Sequence, residues 1–427
     1  MKSGIYLYLM IFRLTLLGQS SAHFGAPKFA PEDGQKLLII GQDLGAVGGL
    51  SGYADGYMDF VDHIPAGVTT YTSLNTLAGL RTTANWGSGD VHAEAYLEDE
   101  KFDNSTIAIG LYLVDQLDNV LAGNFDGRID LLGNWIKESQ RPVFLRIGYE
   151  FDGSWNSYNS VKFKEAWIHI VDRFDDLEVR NVAYVWQSAG INTPNIGRWY
   201  PGDEYVNWLG YSHFDGQNNG QAIRTFANEH DKPIMIAEAT PRGRDLEIGD
   251  GRSHWNAWFD PMFKSVHNDS RIKALSYINV DWNAQAQWIG QGWGDSRVQF
   301  NELVFQSWKE EVSGEAWIMA SDSLFELMQL GLWNDSLMTD TKKVLASPQV
   351  NTSSKYVISK DADNVIQLRS ISSDRIAVSV YDISGIHIYE SFVSSNHHSI
   401  PMGNIKGVVI FQIIIDNHVF RHKVLAR

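Results

Sequence analysis

Two stretches of the sequence decide the fold: Pro142-Val-Phe-Leu-Arg-Ile-Gly-Tyr-Glu-Phe-Asp-Gly-Ser-Trp155 and Pro233-Ile-Met-Ile-Ala-Glu-Ala-Thr-Pro241. Each is an apolar run of strand length that reaches a glutamate, Glu150 in the first and Glu238 in the second. A run that is apolar at nearly every position is typical of a strand buried on both faces of a parallel sheet. In a parallel barrel the active site lies at the carboxyl ends of the strands, so both carboxylates are predicted to lie there.

Similar runs recur along the chain and are separated by amphipathic segments such as Val161–Asp176. The predicted strands are Leu37–Ile40, Val68–Tyr71, Ile107–Val114, Val143–Glu150, Val182–Gln187, Val206–Phe214, Ile234–Glu238 and Ile272–Val280. Eight strands alternating with helices predict an α/β fold of the (β/α)8 TIM barrel type. The alternative is an open doubly wound sheet. The glycines of Gly41–Gly49 lack the G-x-G-x-x-G order of such a sheet's phosphate turn, which makes nucleotide binding a weak interpretation.

Composition narrows the class of protein and of partner. A chain of 427 residues, 44% hydrophobic and 20% charged, is long enough for two globular domains. The formal net charge of -16 argues against nucleic acid and against polyanionic polysaccharides, and leaves a neutral glycan as a suitable partner. Because the chain has no cysteine, disulfides, thiolate metal sites and a cysteine nucleophile are excluded. We expect no cofactor and no metal, since the scattered histidines His63, His92 and His254 show no ligand spacing.

The ends of the chain differ from its centre. Lys2, the apolar run Ile5–Leu17 and the small residues Ser20–Ala22 predict a signal peptide over residues 1–22, and the run is too short to span a membrane. The mature protein is therefore expected to be secreted or displayed at the cell surface, without a membrane span and as a monomer. The predicted barrel covers residues 33–315, a closing helix and linker cover 316–354, and short β-branched runs over 355–427 predict an all-β sandwich.

Two opposed carboxylates are what glycoside hydrolysis requires, one as acid/base and one as nucleophile. Glu150 lies beside Tyr149, Phe151 and Trp155, whose apolar faces disfavour a charge and suit an acid. Arg146 precedes Glu150 by four residues and could keep a partner carboxylate ionised, which makes Glu238 the better nucleophile. The opposing interpretation is an ion pair between Arg146 and Glu150 that only closes the barrel.

The two stretches, with Trp199–Gly210 and Leu275–Trp282, resemble glycoside hydrolase family 26, a family of retaining (β/α)8 β-mannanases, β-1,3-xylanases and β-glucanases. The resemblance covers about residues 36–312. It implies Glu150 as acid/base, Glu238 as nucleophile, and Trp155 and Trp282 as platforms on which sugars stack. The expected protein is a retaining endo-β-glycanase of a neutral β-linked polysaccharide, and a non-catalytic glycan-binding barrel is the alternative.

The identity of the sugar that is cleaved is left open, because the chain departs at two positions from well-known mannanases of that family. These mannanases carry histidine directly before the acid/base, where this chain has Tyr149, and tyrosine at the end of the sixth strand, where it has Phe214 beside His213. Both changes alter the polar groups around the sugar that is cleaved. Trp288 after the eighth strand is a candidate cleft residue, and Trp186 at the end of the fifth is either substrate contact or packing.

The C-terminal region resembles the sorting domain of type IX secretion. The matching segments are Val380–Gly385, Gly407–Gln412 and His422–Arg427. The resemblance implies the secretion machinery as a partner. The alternative is a small carbohydrate-binding sandwich, which would use exposed aromatic residues, and this region contains no tryptophan. A third possibility for the barrel, an aldolase, would need a lysine at a carboxyl strand end, whereas Lys273 opens the eighth predicted strand.

Overall fold

The computed structural model describes residues 27–215 and 219–328, together with the backbone of seven C-terminal strands. The chain divides into two compact units, Met1–Asn334 and Asp335–Arg427. The predicted signal peptide and most of the predicted linker lie outside the described residues. In the described part of the chain, no helix is both long and apolar enough to cross a membrane.

Eight parallel strands form a closed barrel in the first unit, as the alternation of apolar runs predicted. They are β1 (Lys36–Gly41), β2 (Gly67–Ser73), β3 (Thr106–Tyr112), β4 (Val143–Ile147), β5 (Val182–Ser188), β6 (Trp208–His213), β7 (Ile234–Ala239) and β8 (Ile272–Ile278). Each pairs in parallel with the next, and β8 pairs with β1 from Leu37↔Ala274 to Gly41↔Ile278. Closure brings the carboxyl ends of all eight strands to one rim.

Alternation along the strands separates two apolar layers. Leu37 and Ile39 of β1 belong to the cluster inside the barrel, with Phe144, Val185 and other inward residues. Leu38 and Ile40 belong instead to the larger cluster between the strands and the helices. Both faces of each strand are therefore buried, which is the physical reason that the strands read as continuous apolar runs.

Helices of unequal length surround the barrel. They are α1 (Leu44–Val47), α2 (Ala95–Glu98), α3 (Leu117–Leu121), α4 (Asp126–Ser139), α5 (Ser160–Asp176), α6 (Gln221–His230), α7 (Gly251–His254), α8 (Asp260–Asn268), α9 (Glu302–Val312) and α10 (Leu324–Leu327). The helix predicted at Val161–Asp176 is confirmed within one residue as α5. Its first turn is capped by Asn159, whose side chain accepts from the amides of Val161 and Lys162. Between β5 and β6 the chain forms two short 3₁₀ turns, Ile196–Trp199 and Asp203–Tyr205.

The predicted closing helix and linker, 316–354, lie mostly outside the described residues, so this division of the chain stays a prediction. The preceding helix, α9, ends at Val312. The described part of the segment holds a two-residue strand, Trp317–Ile318, paired with β1, followed by α10. Here the chain returns to the amino-terminal end of β1, where Trp317 and Ile318 are buried.

The second unit is all-β in its described part. Its strands are Tyr356–Lys360, Val365–Ser370, Ile376–Asp382, His387–Val393, His397–Pro401, Gly407–Ile415 and His418–Ala426. They form an antiparallel sheet of three strands and an antiparallel sheet of four. Six of the seven correspond to the β-branched runs in the sequence. The remaining strand, His397–Pro401, reads His-His-Ser-Ile-Pro and has no such signal.

Candidate active site

Glu238 enters the barrel mouth through a β-bulge in β7. In the ladder with β6, Tyr211 pairs with Ile236 but Ser212 pairs with Glu238, so one extra residue lies on β7. Met235 and Ala237 belong to the inner cluster. Strict alternation would therefore turn Glu238 outward, toward the helices. The bulge changes the alternation and directs this side chain into the mouth, which is a recurrent use of bulges beside active sites.

Glu150 reaches the same mouth from a turn. The strand β4 ends at Ile147, three residues earlier than predicted, and both Gly148 (φ 54°) and Glu150 (φ 53°) adopt left-handed backbone. A non-glycine residue is uncommon in this conformation, and here the surroundings hold it. Asn156 donates from Nδ2 to the carbonyl oxygens of Tyr149 (3.1 Å) and Glu150 (2.8 Å), and the ring of Phe151 stacks on Trp186 at 4.2 Å.

Glu238 is buried and charge-paired. Its Oε1 accepts from an Nη of Arg146 at 2.5 Å and from the hydroxyl of Tyr71 at 2.9 Å. Arg146 is fully buried and only 6% of Glu238 is exposed, so this ion pair is shielded from solvent. Burial, reinforced by the negative charge of Glu238, raises the pKa of Tyr71 well above its ordinary value, which keeps the phenol protonated as a donor. The expectation that Arg146 faces a partner carboxylate matches this geometry, and the alternative pairing with Glu150 does not.

Glu150 is almost equally buried, but both of its side-chain oxygens accept from neutral donors. Its Oε1 accepts from the hydroxyl of Ser212 at 2.7 Å, and its Oε2 accepts from the indole Nε1 of Trp155 at 3.0 Å. Burial, followed by the negative charge of Glu238, raises the pKa of Glu150 from 4.5 to about 8. At neutral pH this carboxyl is therefore mostly protonated and able to donate a proton.

One hydrogen-bond path joins the two carboxyl groups. The Arg146 guanidinium donates to Gln187 Oε1 (3.0 Å), Gln187 Nε2 donates to Ser212 Oγ (3.1 Å), and Ser212 donates to Glu150. Ser212 is also the ladder partner of Glu238, and neighbouring strands lie about 4.8 Å apart. Both carboxyl groups therefore lie beside Ser212 in the barrel mouth, and a close pair of carboxyls is what double displacement requires.

Two of the predicted aromatic contacts border the carboxyls. Trp155 is 58% exposed and touches Glu150 through its indole nitrogen, so a large part of its ring is open to solvent. Tyr149 is partly buried, with its ring 5.4 Å from that of Tyr71 and 5.5 Å from the Arg146 guanidinium carbon. Tyr149 therefore belongs to the group of side chains around Glu238 as well as to the turn that carries Glu150.

Two other aromatic residues considered for the cleft, Trp186 and Trp282, are buried. Trp186 is fully buried, because its position on β5 points outward, and its indole donates to the Trp199 carbonyl at 3.2 Å. It packs the layer outside the barrel and does not contact substrate. Trp282 is only 3% exposed, and its indole donates to Thr240 Oγ1 at 3.1 Å. The rings of Trp288 and Trp293 lie 5.4 Å and 4.9 Å from its ring. So small an exposed fraction disagrees with the expected role of Trp282 as a sugar platform.

The remaining predicted residues lie around the rim. Trp288, which is partly exposed, packs 5.4 Å from Trp282, and its indole donates to Ser88 Oγ at 3.0 Å. Phe214 packs 5.3 Å from Trp293. The ring of His213 lies 5.4 Å from that of Trp258, on the side of β6 that faces the helices. Trp288 and Phe214 thus border the mouth, whereas His213 packs behind it.

Three residues of the site were missed by sequence reasoning: Tyr71, Gln187 and Ser212. Each occupies an inward position near the carboxyl end of its strand, β2, β5 and β6 respectively. A polar residue at such a position of a predicted barrel strand was the available signal. At the fifth strand, alternation from Ala183 and Val185 leads to Gln187 rather than to Trp186.

In residues 27–215 and 219–328, no three His, Cys, Asp or Glu side chains gather in a way that could hold a metal ion. The expectation that the protein needs neither metal nor cofactor stays a prediction.

Comparison with known proteins places this site in a family. The family model of Glycosyl hydrolase family 26 matches residues 104–283. A β-1,3-xylanase of a Vibrio species is 33% identical over 341 residues, which are 73% of this chain and 72% of that protein. A β-1,3-xylanase of an Alcaligenes species is 31% identical over 335 residues, 71% of this chain and 69% of that protein.

Solved structures support the fold. A modular endo-β-1,4-mannanase from Cellulomonas fimi superposes with a TM-score of 0.51, covering 92% of this chain and 94% of that one. Its sequence identity is 14%, so this likeness concerns architecture alone.

Proposed function

The chain belongs to glycosyl hydrolase family 26, and from that premise we propose that it is an endo-β-1,3-xylanase with Glu238 as nucleophile and Glu150 as acid/base. As a retaining glycoside hydrolase it cleaves by double displacement. Glu238 attacks the anomeric carbon while Glu150 protonates the departing glycosidic oxygen. Water then attacks the glycosyl-enzyme, and Glu150, now ionised, removes the proton from that water.

The observation that carries the assignment of roles is the asymmetry of partners. Glu238 accepts from the Arg146 guanidinium at 2.5 Å and from the Tyr71 hydroxyl at 2.9 Å, so a buried cation holds its Oε1 in the mouth. Glu150 has the neutral donors Ser212 and Trp155, and its pKa of about 8 favours the protonated form which a general acid needs. Different surroundings of two adjacent carboxyls are typical of an acid and nucleophile pair.

The proposed substrate rests on the relatives and on the rim. Two proteins named β-1,3-xylanases each align with more than two thirds of their own length. The chain also departs from well-known mannanases where the sugar would bind, with Tyr149 before the acid and Phe214 at the end of β6. Both side chains border the mouth, which supports a sugar other than mannose at the cleavage point.

A panel of polysaccharides tests this proposal directly. The full chain is incubated with β-1,3-xylan, β-mannan, and β-1,3- and β-1,4-linked glucans, and new reducing ends are measured. We expect release from β-1,3-xylan at a rate at least about tenfold above the others, since one mismatched group in a sugar pocket costs about 1–3 kcal/mol. Preferred cleavage of mannan or glucan would refute the substrate and leave the mechanism standing. If none of the four polysaccharides were cleaved, the proposal that this chain is an active glycanase would be refuted.

We further propose that the C-terminal unit directs export through a type IX secretion system. The support is the resemblance of its motifs, its all-β character in the described strands and its separation from the barrel as a compact unit. The same proposal includes sandwich packing of the two sheets and a secreted or cell-surface location.

Export is tested by expression in a bacterium that has this secretion system. The full chain is compared with a variant that lacks residues 355–427, and both are also expressed in a strain without the system. We expect activity in the medium or on the surface only when the chain and the system are both intact. Equal export of the truncated variant would overturn this role of the C-terminal unit.

A further inference from the structure

A β-hairpin after β2 presents a tryptophan that the proposed mechanism does not use. Its strands are Ala84–Asn85 and Asp90–Val91, and Trp86 at the turn is 52% exposed. Among the described residues, only Trp155 has comparable exposure for an indole of this rim. A half-exposed indole at the rim of the barrel mouth has a flat apolar face available for stacking on a ligand.

The hairpin is braced against the loop that follows β8. The amide of Gln287 donates to the Gly87 carbonyl at 2.8 Å, and Ser88 Oγ donates to Gln287 Oε1 at 2.7 Å. The indole of Trp288 donates to the same Ser88 hydroxyl at 3.0 Å. These contacts use the backbone and a serine side chain of the hairpin. The indole of Trp86 takes no part in them and stays half exposed.

Within the hairpin, further bonds fix the turn that carries Trp86. Asn85 Nδ2 donates to Asp90 Oδ1 at 2.7 Å, while Asn85 Oδ1 accepts from the amide of Gly87 at 2.7 Å. Tyr53 donates to the other oxygen of Asp90 at 2.9 Å. Because these bonds fix the backbone of the turn, little ordering of the loop is needed when a ligand stacks on Trp86.

Trp86 lies close to the carboxyl end of β2. A Cβ built on Gly79 would lie 2.6 Å from the Tyr71 carbonyl oxygen and 3.5 Å from Cη2 of Trp86. The indole therefore lies about one residue's width from the backbone of β2 at Tyr71, the residue whose hydroxyl donates to Glu238 across the mouth.

We propose that Trp86 is the platform of a distal sugar subsite, which stacks on a pyranose ring of the glycan on the glycone side of the cleavage point. This inference rests on the proposed endo-glycanase function and adds a binding site to it. The apolar faces of sugar rings suit a flat indole. The polar groups of Asn85, Asp90 and Gln287 beside it are of the kind that bind hydroxyls.

The position of the acid, Glu150, indicates on which side of the cleavage point Trp86 lies. Glu150 protonates the leaving oxygen, so Trp155, which is bonded to Glu150, lies toward the aglycone. Trp86 belongs to the loop after β2 and is braced to the loop after β8, away from the β4 turn. A glycan that passes both tryptophans would therefore place its non-reducing portion on Trp86.

Chain-length dependence tests this subsite. The wild-type chain and W86A are compared on an oligosaccharide series of whichever glycan the wild type cleaves. We expect KM to rise about tenfold for oligosaccharides long enough to reach Trp86, which corresponds to about 1.4 kcal/mol. For the shortest cleaved oligosaccharide we expect kcat and KM to stay within about twofold. W86Y, which keeps a flat ring, should retain most of the affinity for the long substrates.

Product analysis tests whether Trp86 binds the glycone side of the substrate. With reducing-end-labelled oligosaccharides, W86A should move cleavage toward the non-reducing end, because binding modes that fill the lost subsite become less favourable. Leu131 on α4 is 62% exposed and lies outside the hairpin, so L131A controls for loss of exposed apolar surface. Equal losses on short and long substrates, no loss on either, or the opposite shift in cleavage would each overturn the proposal. A different preferred glycan would refute the xylanase assignment without affecting this comparison.

Discussion

The turn after β4 and the bulge in β7 each deliver a buried glutamate to the same mouth, and their electrostatic surroundings differ. Glu238 accepts from a buried guanidinium and a phenol. Glu150 accepts from a serine hydroxyl and an indole, and burial beside the charge of Glu238 raises its pKa to about 8. The difference teaches that two residues of one type, nearly equal in exposure, acquire opposite roles from what donates to them.

The first prediction removes each carboxylate in turn. E238A should lose on the order of 10⁴-fold or more in kcat, because no other group can form the glycosyl-enzyme. With added azide and an activated aryl glycoside, E238A should form the α-glycosyl azide, since azide replaces the nucleophile. E150A should instead give the β-glycosyl azide, since azide attacks the glycosyl-enzyme. If both variants gave the same anomer, the two glutamates would not have the different roles proposed here.

The second prediction concerns the ion pair on the Glu238 side. R146M leaves a buried carboxylate without its cation and should lower the free energy of unfolding by about 3–5 kcal/mol. Adding E238Q should recover most of that loss, because the unpaired charge is then removed. Urea unfolding measures both variants and E238Q alone. Strictly additive losses would contradict a direct Arg146–Glu238 interaction.

The third prediction uses pH on the Glu150 side. Because the folded-state pKa of Glu150 is raised from 4.5 to about 8, its contribution to stability is complete below pH 4.5 and is lost as pH rises through about 8. E150Q should therefore exceed the wild type by about 1–3 kcal/mol in free energy of unfolding at pH 8, and equal it more closely at pH 4.

The matched control for this prediction is E165Q, at an exposed position of α5. It should change the free energy of unfolding by less than about 0.5 kcal/mol at either pH. If E150Q had the same pH dependence of stability as the wild type, Glu150 would not be the buried neutral acid described here.

The fourth prediction, which has the smallest expected effect, removes one hydrogen-bond donor to Glu150. In the wild type, kcat/KM should fall as pH rises past about 8, because Glu150 must be protonated to act. The Ser212 hydroxyl favours the ionised form of Glu150, so S212A should move this alkaline limb upward by about 0.5–1 pH unit. S188A, which removes a donor to Asp152 instead, is the matched control and should leave the limb within about 0.3 unit. A downward movement in S212A would contradict the assigned hydrogen bond.

Much of the barrel could be read from the residues. All eight strands were predicted, since a strand buried on both faces must be apolar throughout and that pattern is visible locally. The C-terminal strands were also recognised from β-branched runs, apart from His397–Pro401. The end of β4 was placed three residues too late, because Gly148 and Glu150 turn the chain through a conformation that apolarity does not encode.

Side-chain partners could be predicted only in part. The pairing of Arg146 with a partner carboxylate followed from alternation along one strand. Tyr71, Gln187 and Ser212 were missed because they come from three separate strands and meet only when the barrel closes. Trp186 was left open between substrate contact and packing, and its outward orientation on β5 buries it. Trp282 was expected to be a sugar platform, yet only 3% of it is exposed beside neighbouring tryptophans.

The sequence by itself determined the barrel, the positions of its strands within a few residues and the two glutamates, because apolar periodicity and residue type are local properties. The tertiary structure decided which way those glutamates face and which of them is paired with a cation. An extra residue in β7 turns Glu238 inward, and closure of the barrel brings Arg146 to it while Glu150 receives only neutral donors. Protonation depends on distances between groups that are far apart in the chain, and only the folded barrel sets those distances.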